Sequence, residues 1–250
     1  GIFTNEVMLK RMNYDLANDL GNLVSRTTSM IEKYNGGIVP DANTEDDIDK
    51  DLKAVATGAA AKVEAQMDKF AFNMALEEIW TVVRRANKYI DEKTPWILAK
   101  DEAKKAELDT VMHNLAEALR IVSILIYPFM HTTSNEIRKQ LGMLFSDVVW
   151  EDAFTFDMMY GEQVKKGSAI FPRLDIEKEL EELTALVEAK EGPKEENIPL
   201  ELKPEIVFED FDKIDLRVGT ILSAEKHPKA DKLLVFQVKM GTEKRQIVSG

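Results

Sequence analysis

Apolar residues recur every three or four positions through most of this chain, and the period shortens to two only beyond residue 204. Leu16, Leu20, Leu23, Thr27, Ile31 and Tyr34 form one such stripe, and Leu115, Leu119, Val122 and Ile126 form another. A period of 3.6 keeps residues on one side of an α-helix, whereas a strand alternates its sides. The chain is therefore confined to a helical assembly followed by a small β segment. Its 250 residues, 44% of them hydrophobic, can fill one large domain or two small ones. Cysteine is absent, which excludes disulfides and thiolate metal sites and is compatible with a cytoplasmic location.

Local signals set the expected boundaries. Thr4-Asn5-Glu6 is a helix start, and Gly36-Gly37 ends the first long helix. Thr44-Glu45-Asp46-Asp47 supplies a cap and first-turn acids for a helix reaching about Met67. The next helix is expected from about Lys69 to Asp91, with Phe70, Met74, Ile79, Val82 and Val83 inside. Another covers about Lys100 to Tyr127, where Pro128 closes it, and a shorter one covers Ser134 to Leu141. Short loops make such helices antiparallel neighbours. The fold class read from this pattern is mainly α: an antiparallel bundle over residues 1–172.

Residues 173–204 read as an acidic helix (Asp175 to Lys190) and a linker containing Gly192-Pro193-Lys194-Glu195-Glu196-Asn197. Residues 205–250 read as β, with candidate strands Leu216–Ile221, Leu233–Met240 and Gln246–Val248 and a turn at Gly241-Thr242. The chain opens on Gly1 and stops inside a strand-like pattern. Both ends read as cuts in a longer protein.

Charge narrows the function classes. A net charge of −12 argues against a general nucleic-acid coat, which needs Lys and Arg to neutralise phosphate, and no DNA partner is expected. A local RNA site built on stacking and a few basic residues is compatible with that charge. From Ser223 onward basic residues outnumber acidic ones, with Lys226, Lys229 and Lys232 clustered around one loop. That asymmetry fits a phosphate-facing surface, and equally a small β domain with ordinary surface charge. No apolar run approaches the roughly 20 residues of a membrane helix, so no membrane partner is expected. His113, His131 and His227 have no ligand spacing, and neither a Ser/His/Asp arrangement nor a phosphate-binding glycine loop is visible. No metal, cofactor or catalytic residue is expected.

Two segments could touch RNA. Asn22 and Arg26 lie four apart, one turn along a single helix face, beside the apolar stripe. An amide and a planar guanidinium can read a base edge, but spacing alone fits an ordinary solvated face better. Trp96 follows Pro95 in the turn Asp91-Glu92-Lys93-Thr94-Pro95-Trp96. Proline fixes its own φ and favours an extended Thr94, so the indole is held stiffly at a helix start. Such a ring is either a stacking platform for an unpaired base or a cap packed over the bundle end.

Three segments together carry a family resemblance: Asp15-Leu16-Ala17-Asn18-Asp19-Leu20-Gly21-Asn22-Leu23-Val24-Ser25-Arg26, the Pro95-Trp96 turn, and His227-Pro228-Lys229-Ala230-Asp231-Lys232-Leu233. In this order they resemble the C-terminal region of bacterial methionyl-tRNA synthetases over nearly the whole chain. The resemblance implies a class I anticodon-binding bundle in which Asn22, Arg26 and Trp96 contact the first base of a CAU anticodon, supported by Asp91 and Pro95. Asp-Leu-Arg-Val-Gly with the His-Pro-Lys-Ala-Asp-Lys-Leu loop is similar to an OB-type tRNA-binding domain that dimerises in the family. Only about three of the five strands such barrels use fit here, so the domain is expected to be incomplete. The family uses ATP and Mg2+ in a preceding catalytic part whose motifs are missing, so this segment is expected to bind tRNA without aminoacylating it. The alternatives are an anticodon module of another class I synthetase and a non-catalytic assembly or dimerisation module.

Overall fold

The computed structural model describes residues 3–143, 148–191, 205–230 and 232–250. The expected linker Gly192–Asn197 and Asp231 of the basic loop lie outside the described residues. The chain divides into two compact units, Gly1–Gly192 and Pro193–Gly250.

The first unit is helical. Helix α1 (Asn5–Arg11) starts at Thr4, whose hydroxyl accepts the Val7 N–H at 3.2 Å. It widens into a π-helical stretch, Met12–Gly21, and continues as α2 (Asn22–Asn35). Gly36 ends α2 in the left-handed region at φ 60°, a conformation that favours glycine. Helix α3 (Asp47–Met67) begins with a capping box: Asp46 accepts from the Asp49 backbone while the Asp49 carboxylate accepts from the Asp46 N–H.

Helix α4 (Phe72–Lys93) packs against α3. Phe70 and Met74, expected inside, are 80% and 46% exposed. The helix begins later than the pattern implied, because Phe70 turns the chain at φ 55°. The inward stripe is then Ala75, Ile79, Val82, Val83, Ala86 and Ile90, and Met74 lies beside it.

A short α5 (Pro95–Leu98) and a 3-10 turn (Glu102–Lys104) lead into α6 (Lys105–Leu125), the axis of the unit. The sequence shows one apolar stripe here, yet α6 is buried on every side from Thr110 to Leu125. Its polar residues survive burial because they are partnered. Arg120 (1% exposed) pairs with Glu117 (0%) and donates to the Asp152 and Thr155 carbonyls. Glu117 also accepts the N–H groups of Met158 and Met159. His113 joins the Pro40 carbonyl to Asp157. The segment after the 3-10 turn Trp150–Phe154 is thereby clamped onto α6.

Helix α7 (His131–Gln140) follows Pro128 and packs on α6. Residues 162–174 run back over the unit. Ile38 and Gln163 form an antiparallel bridge, and Asn13 and Leu174 exchange two hydrogen bonds of 2.8 and 2.9 Å. Helix α8 (Ile176–Glu191), the acidic helix of the sequence, packs on α1. The compact helical unit therefore runs past residue 172, through α8.

The second unit holds a short α9 (Phe208–Asp212) and a three-stranded antiparallel sheet in the order β1-β2-β3. The strands are β1 (Thr220–Lys226), β2 (Leu234–Met240) and β3 (Glu243–Ser249). Leu216–Gly219, expected in the first strand, precede it, and Val218 is 98% exposed. Gly219 approaches Val238 so closely that a Cβ would collide with it. Gly241 takes φ 61° at the first central position of the β2–β3 turn, as a two-residue hairpin demands. No helix among the described residues is long and apolar enough to cross a membrane.

Candidate nucleic-acid interface

One side of α2 faces away from the core. Leu23, Val24, Thr27, Thr28 and Ile31 are buried, leaving Asn22, Ser25, Arg26, Ser29 and Lys33 one turn apart on the outer face. Asn22 is exposed and Arg26 half-buried. The C-terminal end of α4 lies beside this face, where Arg26 Nη2 donates to Asp91 Oδ1 at 3.0 Å. No other protein acceptor takes a guanidinium hydrogen of Arg26 among the described residues. The pair is partly exposed, so its own contribution to stability is small, ~0–1 kcal/mol. It fixes the direction of the fork and leaves donors over for a ligand.

Beyond Asp91 the chain turns sharply. Thr94 adopts the left-handed conformation at φ 43° and ψ 59°, not the extended one expected before proline. The reason is its double duty: its N–H caps α4 by bonding the Ile90 carbonyl at 3.0 Å, while Pro95 already starts α5. Pro95 is buried, and Trp96, next along α5, is 43% exposed. The indole is thus anchored at its base and open on part of its surface. Trp80 and Trp150 differ. The Trp80 Nε1–H donates to the Asp15 carbonyl, and that of Trp150 to the Glu64 carboxylate.

Arg26 and Trp96 line the same cleft, about 350 Å³ in volume, together with Ser29, Met30, Lys33 and Tyr34. Asn22 opens on a neighbouring depression of about 440 Å³, which Ala169 and Phe171 of the returning segment also line. Ser25 borders both. Asp91 and Pro95 line neither depression: Asp91 is exposed and meets the site through its pair with Arg26, and Pro95 is buried under the α5 turn. Sequence reading missed Ser29, Lys33 and Tyr34, although their spacing from Arg26 by three, seven and eight residues was the available signal. Lys33 lies over the Tyr34 ring, 5.1 Å from its centroid. The surface thus combines a partly exposed aromatic face, a planar cation, an ammonium and small hydroxyls. It can stack a flat ring, hydrogen-bond its edge and hold an adjoining anion.

The second unit offers a different surface. The His227 N–H donates to the Leu233 carbonyl at 3.0 Å and closes the β1–β2 connection into a tight loop. Lys226, Lys229 and Lys232 are exposed around it. No group of acidic or histidine residues suited to a metal ion occurs among the described residues.

Comparison with known proteins follows the same two units. Residues 39–187 match the family profile described as the anticodon binding domain of methionyl tRNA ligase. Residues 216–250 match one described as a putative tRNA binding domain. Asp91, Pro95 and Trp96 fall within the first match, whereas Asn22 and Arg26 precede it. The chain is 49% identical over 251 residues to a methionine–tRNA ligase of Caldanaerobacter subterraneus subsp. tengcongensis, covering 100% of this chain and 39% of that protein. The corresponding protein of Clostridium perfringens is 49% identical over 252 residues, with the same coverage. Among solved structures, the free-state Mycobacterium tuberculosis methionyl-tRNA synthetase superposes with a TM-score of 0.66 at 33% identity, over 69% of this chain and 35% of that one. The chain spans about two-fifths of the length of the curated relatives it matches.

Proposed function

This chain belongs to the methionyl-tRNA ligase family, as its anticodon-binding and tRNA-binding portion, and from that premise we propose that its helical unit reads the CAU anticodon of a methionine-accepting tRNA. The observation that carries the proposal is that Arg26 and Trp96, far apart in sequence, line one cleft. An unpaired base stacks on the indole, and the guanidinium fork and the Asn22 amide hydrogen-bond its edge. Asp91 holds the fork in place. Lys33 faces the adjoining phosphate. The basic loop bearing Lys226, Lys229 and Lys232 grips tRNA outside the anticodon by charge and shape. ATP- and Mg2+-dependent attachment of methionine falls to the part of the full-length enzyme that this chain does not cover. Dimerisation through a completed OB-type domain belongs to the same reading. Every relative named above is a methionine–tRNA ligase, which favours this reading over another class I synthetase or a purely structural module.

The test is equilibrium binding of the chain to anticodon stem-loops that carry CAU or a changed first base. Trp96→Ala is expected to weaken CAU binding by roughly 1–3 kcal/mol through lost stacking. Arg26→Ala costs a similar amount and flattens the preference at the first base. Melting temperatures stay near the wild-type value, because neither head group belongs to the core. If both variants melted early and bound as tightly as the wild type, the cleft would have only a packing role.

A further inference from the structure

Lys93 lies in the same turn as Asp91 and Trp96. Its side chain is only 3% exposed, so it cannot reach a phosphate. Its Nζ instead sits between two carboxylates, 2.7 Å from Asp46 Oδ2 and 3.1 Å from Asp49 Oδ2. Asp49, 1% exposed, also accepts the Tyr89 hydroxyl at 2.5 Å and the Asn114 amide at 3.3 Å. Helices α3, α4 and α6 therefore meet in one buried polar knot. Lys93 is the last residue of α4, and the left-handed Thr94 and Pro95–Trp96 follow it directly. Asp91, the partner of Arg26, precedes it by two residues.

We propose that Lys93 is a positioning residue for the RNA-reading cleft: its tether to the α3 N-terminus holds the end of α4, and so fixes where Asp91 and the Trp96 indole stand relative to Arg26. This rests on the anticodon reading of that cleft. A fraying last turn is the ordinary fate of a helix end, because its final carbonyls lack partners inside the helix. Here that turn carries Asp91 and leads directly into Pro95–Trp96, and a buried ammonium between two aspartates removes the freedom to fray.

The experiment uses the whole chain labelled with 5-fluorotryptophan. It gives three 19F resonances, of which the Trp96 line is identified by its absence in Trp96→Ala. Lys93→Met is expected to shift or broaden the Trp96 line while the Trp80 and Trp150 lines stay in place. Affinity for a CAU stem-loop falls about tenfold, inside the roughly 5- to 150-fold range that a lost stack covers. In the Trp96→Ala background, Lys93→Met costs clearly less than it does alone, since the ring it positions is gone and only its hold on Asp91 is left to lose. Asp46→Asn removes one anchor yet keeps a good helix cap, and moves the same line and affinity by less. An unmoved Trp96 line with wild-type affinity overturns the proposal, as does a loss that persists in full without Trp96. If Lys93→Met does not fold, Asp46→Asn decides by the same signatures, and an unmoved Trp96 line there overturns it. If Trp96→Ala itself binds normally, the anticodon reading fails, while the Trp96 line still judges whether Lys93 positions the ring.

Discussion

Removing the Glu117 side chain is expected to be among the most damaging single changes to the helical unit. Glu117 is 0% exposed and pairs with Arg120 at 2.8 Å, itself 1% exposed. Its other oxygen accepts two backbone N–H groups, from Met158 and Met159. Glu117→Ala leaves a buried guanidinium without its counter-charge and two donors without an acceptor. Breaking one side of such a pair costs about 3–5 kcal/mol, because the surviving charge stays out of water. Glu117→Gln keeps its oxygen for the two backbone N–H groups but turns an amide NH2 toward the Arg120 guanidinium in place of the acceptor, so about 1–3 kcal/mol is expected. The assay is urea unfolding followed by tryptophan fluorescence, which reports the helical unit alone because Trp80, Trp96 and Trp150 all lie in it. With a slope of about 3 kcal/mol per molar urea, the midpoint falls by about 1–1.7 M for Glu117→Ala and by about 0.3–1 M for Glu117→Gln. A midpoint within about 0.3 M of wild type for Glu117→Ala would show that the clamp on α6 contributes little, and the reasoning would fail.

Four further outcomes are expected. Burial alone would raise the Asp46 carboxyl, but hydrogen bonds from Lys93 and the Asp49 backbone hold it at about 2, below its ordinary 3.8. A depressed folded-state value stabilises fully above the unfolded value and is lost as pH falls through the folded one, so the stability difference between wild type and Asp46→Asn should shrink between pH 4 and 2 in acid titrations of unfolding. Gly58→Ala, in the interior of α3 with nothing within 4 Å of the added Cβ, should stabilise by about 0.5–1 kcal/mol. Gly142→Ala, at φ +86° with a Gln163 carbonyl 2.6 Å from the added Cβ, should destabilise by more than about 1 kcal/mol in the same unfolding assay. Among the described residues of the second unit every residue of β1 and β3 is exposed and Val238 alone is buried, so amide exchange should protect β2 best and leave the outward amides of the edge strands fast. Uniform protection across Thr220–Lys226 would reveal a partner covering that edge.

Period and caps settled much of the architecture from the sequence alone. Thr4, Gly36 and Asp46 mark helix ends by local hydrogen bonding, which depends on residues a few positions apart and so is written in order along the chain. The switch from a period of 3.6 to one of 2 likewise separated helices from sheet, and Gly241-Thr242 announced its own turn. The motif residues Asn22, Arg26 and Trp96 were legible as types at fixed spacings. What they share was not. That Arg26 and Trp96 line one cleft, with Asn22 next to it, follows from α2 lying beside the end of α4, and no local rule carries that neighbourhood. Tertiary packing also reversed readings that one-dimensional patterns favour. It enclosed α6 on all sides, because Glu117, Arg120, His113 and Asn114 find partners from segments far away in sequence. It turned Thr94 left-handed, since that residue caps one helix while Pro95 begins the next. It drew Lys93 inward, where two aspartates of another helix end lower the cost of burying its charge. A side chain's solvation depends on what surrounds it in space, and that is the quantity a sequence leaves open until the helices are packed.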